Sequence, residues 1–318
     1  MNKKKRSTAF GAALIILGLL ALVVGKLRHG QEGPLLRLPQ GGLTRPSRTE
    51  PTVPAGPAAD AWTFSAADGE LISLQYGDGC SYRPDILSLL LRPLQWQLRE
   101  ETPTVLIIHT HGSESYTPQP GQDYVPAGDY RTLDTDHNLI ALGDRLAALL
   151  EAAGIRVLHD RTLHDYPSYN SSYDNSRAAA QEYLRQHPGI RLVLDLHRDA
   201  VLLSDGSQFA PTVTVGGERV ARLMLVVGSD GSGMDHPHWQ ENLASALKLQ
   251  ALLEKQVPGI TRPTMLRAQR FNHDLAPGAM IVEIGAAGNT LQQAMAAVPY
   301  LAEAIIDLSD GTTANSTS

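Results

Sequence analysis

From Thr102 onward, short continuous apolar runs alternate with longer amphipathic stretches. TVLIIH (104–109), IRVLHD (155–160), IRLVLDLH (190–197), RLMLVVG (222–228) and AMIVEIG (279–285) are runs typical of strands buried on both faces. Between them lie helical patterns. HNLIALGDRLAALLEAAG (137–154) sets Leu139, Leu142, Leu146, Leu149 and Leu150 on one stripe and closes on Gly154, a residue suited to follow a helix end. NSRAAAQEYLRQHPG (175–189) stops at Pro188 and Gly189, and HWQENLASALKLQALLEKQVPG (238–259) stops at Pro258 and Gly259. NTLQQAMAAVPYLAEAIIDLS (289–309) reads as the last helix, with Asn289 as its N-cap. Strands separated by helices predict an α/β domain over 102–310, with a mostly parallel central sheet and helices on both faces. Residues 311–318 read as a disordered tail.

Upstream the pattern breaks into three pieces. Residues 61–101 read as a small N-terminal portion of the folded region. There FSAADGELISLQYGDG alternates weakly as one or two strands, and DILSLLLRPLQWQLRE predicts a helix kinked at Pro93. Residues 29–60 repeat proline and glycine without an apolar period, the pattern of a tether. Ser7 to Gly25 then run 19 residues without a charge, about 28 Å as a helix, the thickness of a bilayer core. The KLRHGQEG that follows offers no small-x-small cleavage site, which favours a retained transmembrane anchor within 1–28 over a cleaved signal. Lys3, Lys4, Lys5 and Arg6 ahead of the run favour an inside N-terminus, against a weaker opposite vote from Lys26 and Arg28. The expected location is the cell membrane, single-pass, with the folded region outside the cytoplasm.

Charge changes the picture of partners. Residues 1–28 hold six cations and no acid, leaving 21 cations against 33 acids, a net −12, on the remainder. Such an acidic body is a poor binder of polyanions, so nucleic acid is not an expected partner. The single Cys80 excludes an intramolecular disulfide framework, a four-cysteine zinc ribbon and a cysteine-held iron–sulfur cluster. No paired histidine motif lies near it, which argues against a thiol nucleophile. Nor does a G-x-S-x-G elbow, a Walker loop or a dinucleotide fingerprint appear.

In a parallel α/β sheet the chemistry gathers at the carboxyl ends of strands, and three of these strands end in ionisable groups. One finishes in His109-Thr110-His111-Gly112-Ser113-Glu114, one in Asp195-Leu196-His197-Arg198-Asp199, and one carries Glu283 just before Gly285. His111 and Glu114 stand three apart, so an imidazole and a carboxylate can converge on one ion across a tight turn, and His197 completes a His/Glu/His set suited to zinc. Zinc in such a site activates water and polarises a carbonyl, and a nearby carboxylate removes the proton. Glu283, costly to bury without a partner, is the natural base. His109 shares a strand face with His111 by two-residue periodicity and competes for its place, as an alternative ligand or a supporting one. Arg198 has two readings: contact with a substrate carboxylate or an oxyanion, or a salt bridge to Asp199 or Asp195. The segment HDRTLHDYPSYNSSYD brings Tyr166, Tyr169 and Tyr173 to line a groove or simply to cover a surface loop.

HTHGSESY, HDRTLHDYPSYNSSYDNSR, LDLHRDA and VEIGAAGNT, in that order, resemble the stage II sporulation protein P family of cell-wall hydrolases over roughly residues 102–309, and the anchor and tether suit that family's layout. The resemblance implies a fold like those of cell-wall amidases and, more distantly, zinc carboxypeptidases. It implies a Zn2+-dependent N-acetylmuramoyl-L-alanine amidase with an associated peptide-cleaving activity, remodelling septal peptidoglycan during engulfment. Partners implied are peptidoglycan, the cytoplasmic membrane, and sporulation cell-wall proteins such as a lytic transglycosylase and a membrane scaffold. Carried onto this chain, His111, Glu114 and His197 are the metal ligands and Glu283 the base. Related amidases take the acidic ligand from the start of the first helix, which leaves Asp134 and Asp136 as rivals to Glu114. The other readings are a zinc carboxypeptidase or endopeptidase on stem peptides and a non-catalytic peptidoglycan-binding scaffold.

Overall fold

The computed structural model describes residues 64–119 and 130–314, with the backbone alone for 312–314. The expected anchor, the tether and residues 315–318 lie outside the described residues. Among those described, no helix is long and apolar enough to cross a membrane.

Among the described residues, nine strands and five α-helices follow one another as β1 (Leu74–Tyr76), α1 (Ile86–Leu91), β2 (Val105–Ile108), α2 (Leu139–Ala152), β3 (Val157–His159), α3 (Ser172–Gln186), β4 (Leu192–Asp199), β5 (Thr212–Val215), β6 (Glu218–Ala221), β7 (Leu223–Gly228), α4 (Trp239–Gln256), β8 (Thr264–Arg267), β9 (Ala279–Ala286) and α5 (Leu291–Ala314). Seven strands form one sheet in the order β1-β8-β7-β9-β4-β2-β3, and β5 and β6 form a separate hairpin.

Five of the six pairings in the sheet are parallel, and the junction of β7 with β9 is antiparallel. The exception has a local cause. A parallel neighbour needs a long crossover, usually a helix, and the chain between β4 and β7 carries the β5–β6 hairpin instead. Gly216 and Gly217 turn that hairpin with φ of 59° and 87°, values that an Xaa-Gly type I′ turn demands and glycine adopts freely.

Alternation along the strands divides the core. Val105 and Ile107 of β2, Leu192, Leu194 and Leu196 of β4, and Met280, Val282 and Ile284 of β9 pack with the leucines of α2 and α4 and the apolar face of α5. Leu106, Ile108, Val193 and Ala279 point the other way, against Ala180 of α3. Each fully buried leucine contributes about 1.5–3 kcal/mol relative to exposure. Because α2 and α3 lie on opposite faces, the order of strands reverses between β2 and β4, and the crevice at their carboxyl ends is a topological switch point, where ligands bind in open α/β sheets.

Three local expectations are corrected. Helix α1 ends at Leu91 with Arg92 extended, so the helix stops before Pro93 rather than bending at it, as the steric restriction on a residue preceding proline requires. The cap of α5 is Thr290: its Oγ1 accepts from Gln293 N at 3.2 Å while Gln293 Oε1 accepts from Thr290 N at 3.2 Å, a reciprocal capping box. Asn289 is buried one residue earlier, where its Oδ1 accepts from Ala286 N. The last helix runs on to Ala314, into the stretch expected as tail. Trp96 and Leu98, from the segment before β2, belong to the main core, and β1 extends the main sheet through β8.

Candidate active site

In the parallel register of β4 and β9, His197 is the direct neighbour of Glu283. Both point to the face that carries α3, away from the leucine layer of the larger core. β2 ends at Ile108, and the chain turns through Thr110–Ser113 so that His111 comes to the same crevice. The His111 ring meets that of His197 edge-on, with centroids 5.3 Å apart. Glu114 closes the group: its Oε2 lies 3.8 Å from His197 Nδ1. All three candidate ligands and the candidate base therefore converge at the switch point.

His109 does not join them. The turn after Ile108 breaks the two-residue period, so His109 continues the alternation of Val105 and Ile107 toward α2, and His111 does not. His109 is fully buried, and its Nε2 shares a hydrogen bond with His159 Nε2 at 2.7 Å. Burial, then the charge of His159, pushes its pKa down to about 3, so it stays neutral. Gly143 of α2 makes the room: a Cβ there would stand 2.7 Å from His109 Nε2. Asp134 and Asp136 also stay outside. Asp134 is exposed and binds His137 Nδ1 at 2.7 Å and Asp136 N at 3.0 Å, while Asn138 caps α2.

Arg198 lines the cleft beside Glu114 and makes neither of the salt bridges expected for it. Its guanidinium donates to Ser115 O (Nε, 3.0 Å) and Tyr130 O (Nη2, 3.2 Å) and lies 3.5 Å from Glu114 Oε1, while its backbone N–H donates to Glu114 Oε2. Neither Asp195 nor Asp199 is its partner: Asp199 pairs with Arg262 at 2.6 Å. Almost wholly buried, Arg198 holds Glu114 from behind.

The electrostatics follow from burial among carboxylates. Burial alone would lower the pKa of His197, but Asp195 at 3.0 Å from Nε2, together with Glu114 and Glu283, raises it to about 9. Asp195 would rise on burial, yet His197 and the hydrogen bonds from Thr110 N (2.8 Å) and Thr110 Oγ1 (2.6 Å) bring it to about 2. Burial pushes Glu283 up to about 8, with Glu114 and Asp199 adding to the shift. That places a carboxyl group near neutrality, where a general base or acid works best.

Whether a zinc ion fits is a question for the donor atoms. Among the described residues no three His, Cys, Asp or Glu side chains already meet as a coordinating set. The spacing is nonetheless close. Two donors on one tetrahedral zinc stand about 3.4 Å apart, given bond lengths near 2.0–2.2 Å, and His197 Nδ1 and Glu114 Oε2 are 3.8 Å apart. His111 Nδ1 and Glu283 Oε2 are buried without a hydrogen-bond partner. Buried polar atoms are seldom left so, and two in one crevice suit a ligand. The acidic field that favours a proton on His197 favours a divalent cation equally. Asp195 beside the second nitrogen of His197 supplies the carboxylate that metal-binding histidines usually have behind them.

Arg131, and residues to which the sequence assigned no role, complete the walls with two of the tyrosines. Arg131, Asp165 and Ser113 form a network in which Asp165 Oδ2 accepts from Arg131 Nη1 (2.8 Å) and from Ser113 Oγ (2.5 Å). Tyr169 stacks on His111 with centroids 4.5 Å apart, and Tyr173 meets the same ring edge-on at 5.6 Å. Tyr169 and Tyr173 therefore flank the crevice, and Tyr166 projects outward from it as an exposed residue. Arg131 sits in the unpatterned stretch DYRTLDTDH, where no periodicity could single it out.

Fold and site together define an α/β protein with a His/Glu/His cluster and an elevated carboxyl group at a sheet switch point. The sequence model of the Stage II sporulation protein P family matches residues 55–306, and the chain belongs to that family. It is 27% identical over 217 residues to "Stage II sporulation protein P" of Bacillus subtilis (strain 168), a match covering 64% of this chain and 50% of that one; it thus spans about half the length of that curated relative. Among solved structures it is similar to the CwlD amidase from Clostridioides difficile in complex with the GerS lipoprotein (11% identity, 66% of this chain and 97% of that chain, TM-score 0.40). It is similar also to the N-acetylmuramoyl-L-alanine amidase from Clostridium difficile 630 (13% identity, 69% and 100%, TM-score 0.39). The backbones agree only loosely at those scores.

Proposed function

We propose that this chain is a membrane-anchored, zinc-dependent peptidoglycan hydrolase of sporulation that cleaves the amide between N-acetylmuramic acid and the L-alanine of the stem peptide. The observation that carries the reading is the His197–Glu283 register pair facing His111 and Glu114: a candidate ligand set beside a carboxyl group shifted to about 8. Family membership supports the cell-wall substrate and the role in septal remodelling and engulfment. The apolar run Ser7–Gly25 supports the anchor, with the folded region outside the cytoplasm.

His111, Glu114 and His197 would hold the zinc ion, which when bound supplies Lewis acidity to the scissile carbonyl and acidifies water. Glu283 takes the proton of the attacking water and delivers it to the leaving amine of L-alanine, a double duty suited to a carboxyl group near neutrality. Arg198 keeps Glu114 oriented, and Asp195 fixes the His197 ring. Tyr169 and Tyr173 give the sugar–peptide strand flat contact area.

The test is mass spectrometry of purified peptidoglycan digested by the full chain loaded with zinc. Free stem peptides beginning at L-alanine are expected. Release of C-terminal residues alone would make the chain a carboxypeptidase, and an unchanged digest would make it a binding scaffold.

A further inference from the structure

The cleft beside the candidate active site has a volume of about 650 Å³, and Glu114, Arg131, Tyr169 and Leu202 are among the residues that line it. Arg131 is the accessible cation of this lining: its side chain is 25% exposed, against 1% for Arg198. Its position is built. Asp165, whose side chain is 1% exposed, accepts from Nη1 at 2.8 Å and is itself held by Ser113 N (3.2 Å) and Ser113 Oγ. The guanidinium lies over the Tyr169 ring, 4.6 Å from its centroid. Its other contacts are long, with Nη1 to Ser113 Oγ and Nη2 to Glu114 Oε1 both at 3.4 Å. A guanidinium carries five N–H donors, more than these contacts use, on a planar fork matched to a carboxylate.

We propose that Arg131 is the subsite for a carboxylate on the substrate: the free α-carboxylate of the second stem residue, a glutamate linked through its γ-carboxyl. The proposal rests on the hydrolase reading above and deepens it. Reach supports the assignment. The α-carbon of that residue lies about 5 Å from the scissile nitrogen, one N–Cα bond and one peptide step of 3.8 Å away, and Arg131 touches the side chain of the candidate ligand Glu114. A subsite this near the cut would bind the peptide in one direction only.

Arg131 also neutralises the buried Asp165, and a purely structural role is separable by a ratio of substrates. The full chain is assayed on two muropeptides that differ only in that α-group, carboxylate or carboxamide. A charge-assisted hydrogen bond contributes about 1.5–3 kcal/mol, so wild type should cleave the carboxamide with kcat/KM about 10-fold lower or less still, since tenfold is 1.4 kcal/mol. Arg131→Gln should lose most activity on the carboxylate substrate and bring the ratio to about 1, and Arg131→Lys should fall between. Equal cleavage of both substrates by wild type overturns the proposal, as does an Arg131→Gln chain that is slower on both by one factor. If Arg131→Gln fails to fold, the wild-type ratio and that of Arg131→Lys decide. If wild type cleaves neither muropeptide, the hydrolase reading has failed; calorimetric binding of the two then tests Arg131 separately, with a reduced carboxylate preference in Arg131→Lys expected and an unchanged preference overturning the proposal.

Discussion

Each face of the central sheet carries a histidine pair close to the strand ends, and the two pairs differ in kind. On the α2 face, His109 and His159 share a hydrogen bond with each other and are both shifted down by burial. On the α3 face, His111 and His197 cross without a mutual hydrogen bond, among Glu114, Asp195 and Glu283; burial lowers His111 to about 4, while the carboxylates raise His197 to about 9. Two positions along one chain segment separate His109 from His111. The first pair packs ring against ring beside a single carboxylate, Asp144, whereas the second sits among several, the setting that the proposed cation site requires. The lesson is that the neighbours contributed by other strands set the role of each histidine.

The strongest way to break the comparison is to truncate one histidine on each face. His111→Ala should lose bound metal along with activity, as should His197→Ala, because three protein ligands are needed to hold a catalytic zinc. His109→Ala should keep its metal and lose only stability, about 1–3 kcal/mol from the orphaned His159 and the vacated space. Metal analysis beside a urea titration checks both, and the reverse pattern would move the ligand two residues along the chain.

Glu283→Gln sharpens the same contrast on the α3 face. Turnover should fall about 10²–10⁴-fold, the usual contribution of a positioned base, with metal content near wild type. Metal loss in this variant would instead make Glu283 a ligand.

Gly143→Ala tests the opposite face, since it drives a methyl group into the His109–His159 pair. Overpacking of that kind costs about 1–3 kcal/mol, visible as a lowered urea midpoint with metal binding unchanged. Asp134→Ala should be milder still, within about 1 kcal/mol for the loss of an exposed ion pair to His137, and without effect on metal. Loss of zinc in Asp134→Ala or Asp136→Ala while Glu114→Gln keeps it would transfer the acidic ligand to the start of α2.

A further test depends on pH. Burial lowers His236 to about 4 and His273 to about 3, below the value near 6.5 expected in an unfolded chain. Between these values the unfolded state binds more protons, so the stability these groups contribute is complete above pH 6.5 and is lost as pH falls toward 4 and 3. Neither ring nitrogen of His236 has a hydrogen-bond partner. His236→Leu should therefore fold and flatten the decline in urea midpoint between pH 6.5 and 4.5, and an unchanged slope would contradict the shift.

The amphipathic stripes, Gly154 and the continuous apolar runs told on their own where most strands and helices lie, because burial on both faces of a sheet demands unbroken hydrophobic residues. They also placed His111, Glu114, His197 and Glu283 at strand ends, where a parallel sheet collects its chemistry. The hairpin at Gly216-Gly217 and the short strands β1 and β8 were harder to see, since three or four residues carry too little periodicity to separate them from loops. Register across strands far apart in sequence is a tertiary property, and it made His197 the neighbour of Glu283 and set β7 antiparallel to β9. The turn after Ile108 sent His109 and His111 to opposite faces, and alternation along a strand cannot foresee where the strand ends. Arg131 became a wall of the cleft only through Asp165 and Tyr169, contacts 34 and 38 residues away along the chain. Side-chain chemistry and local pattern reside in the sequence; which groups share one space, and so which charges shift one another, is decided when the sheet closes.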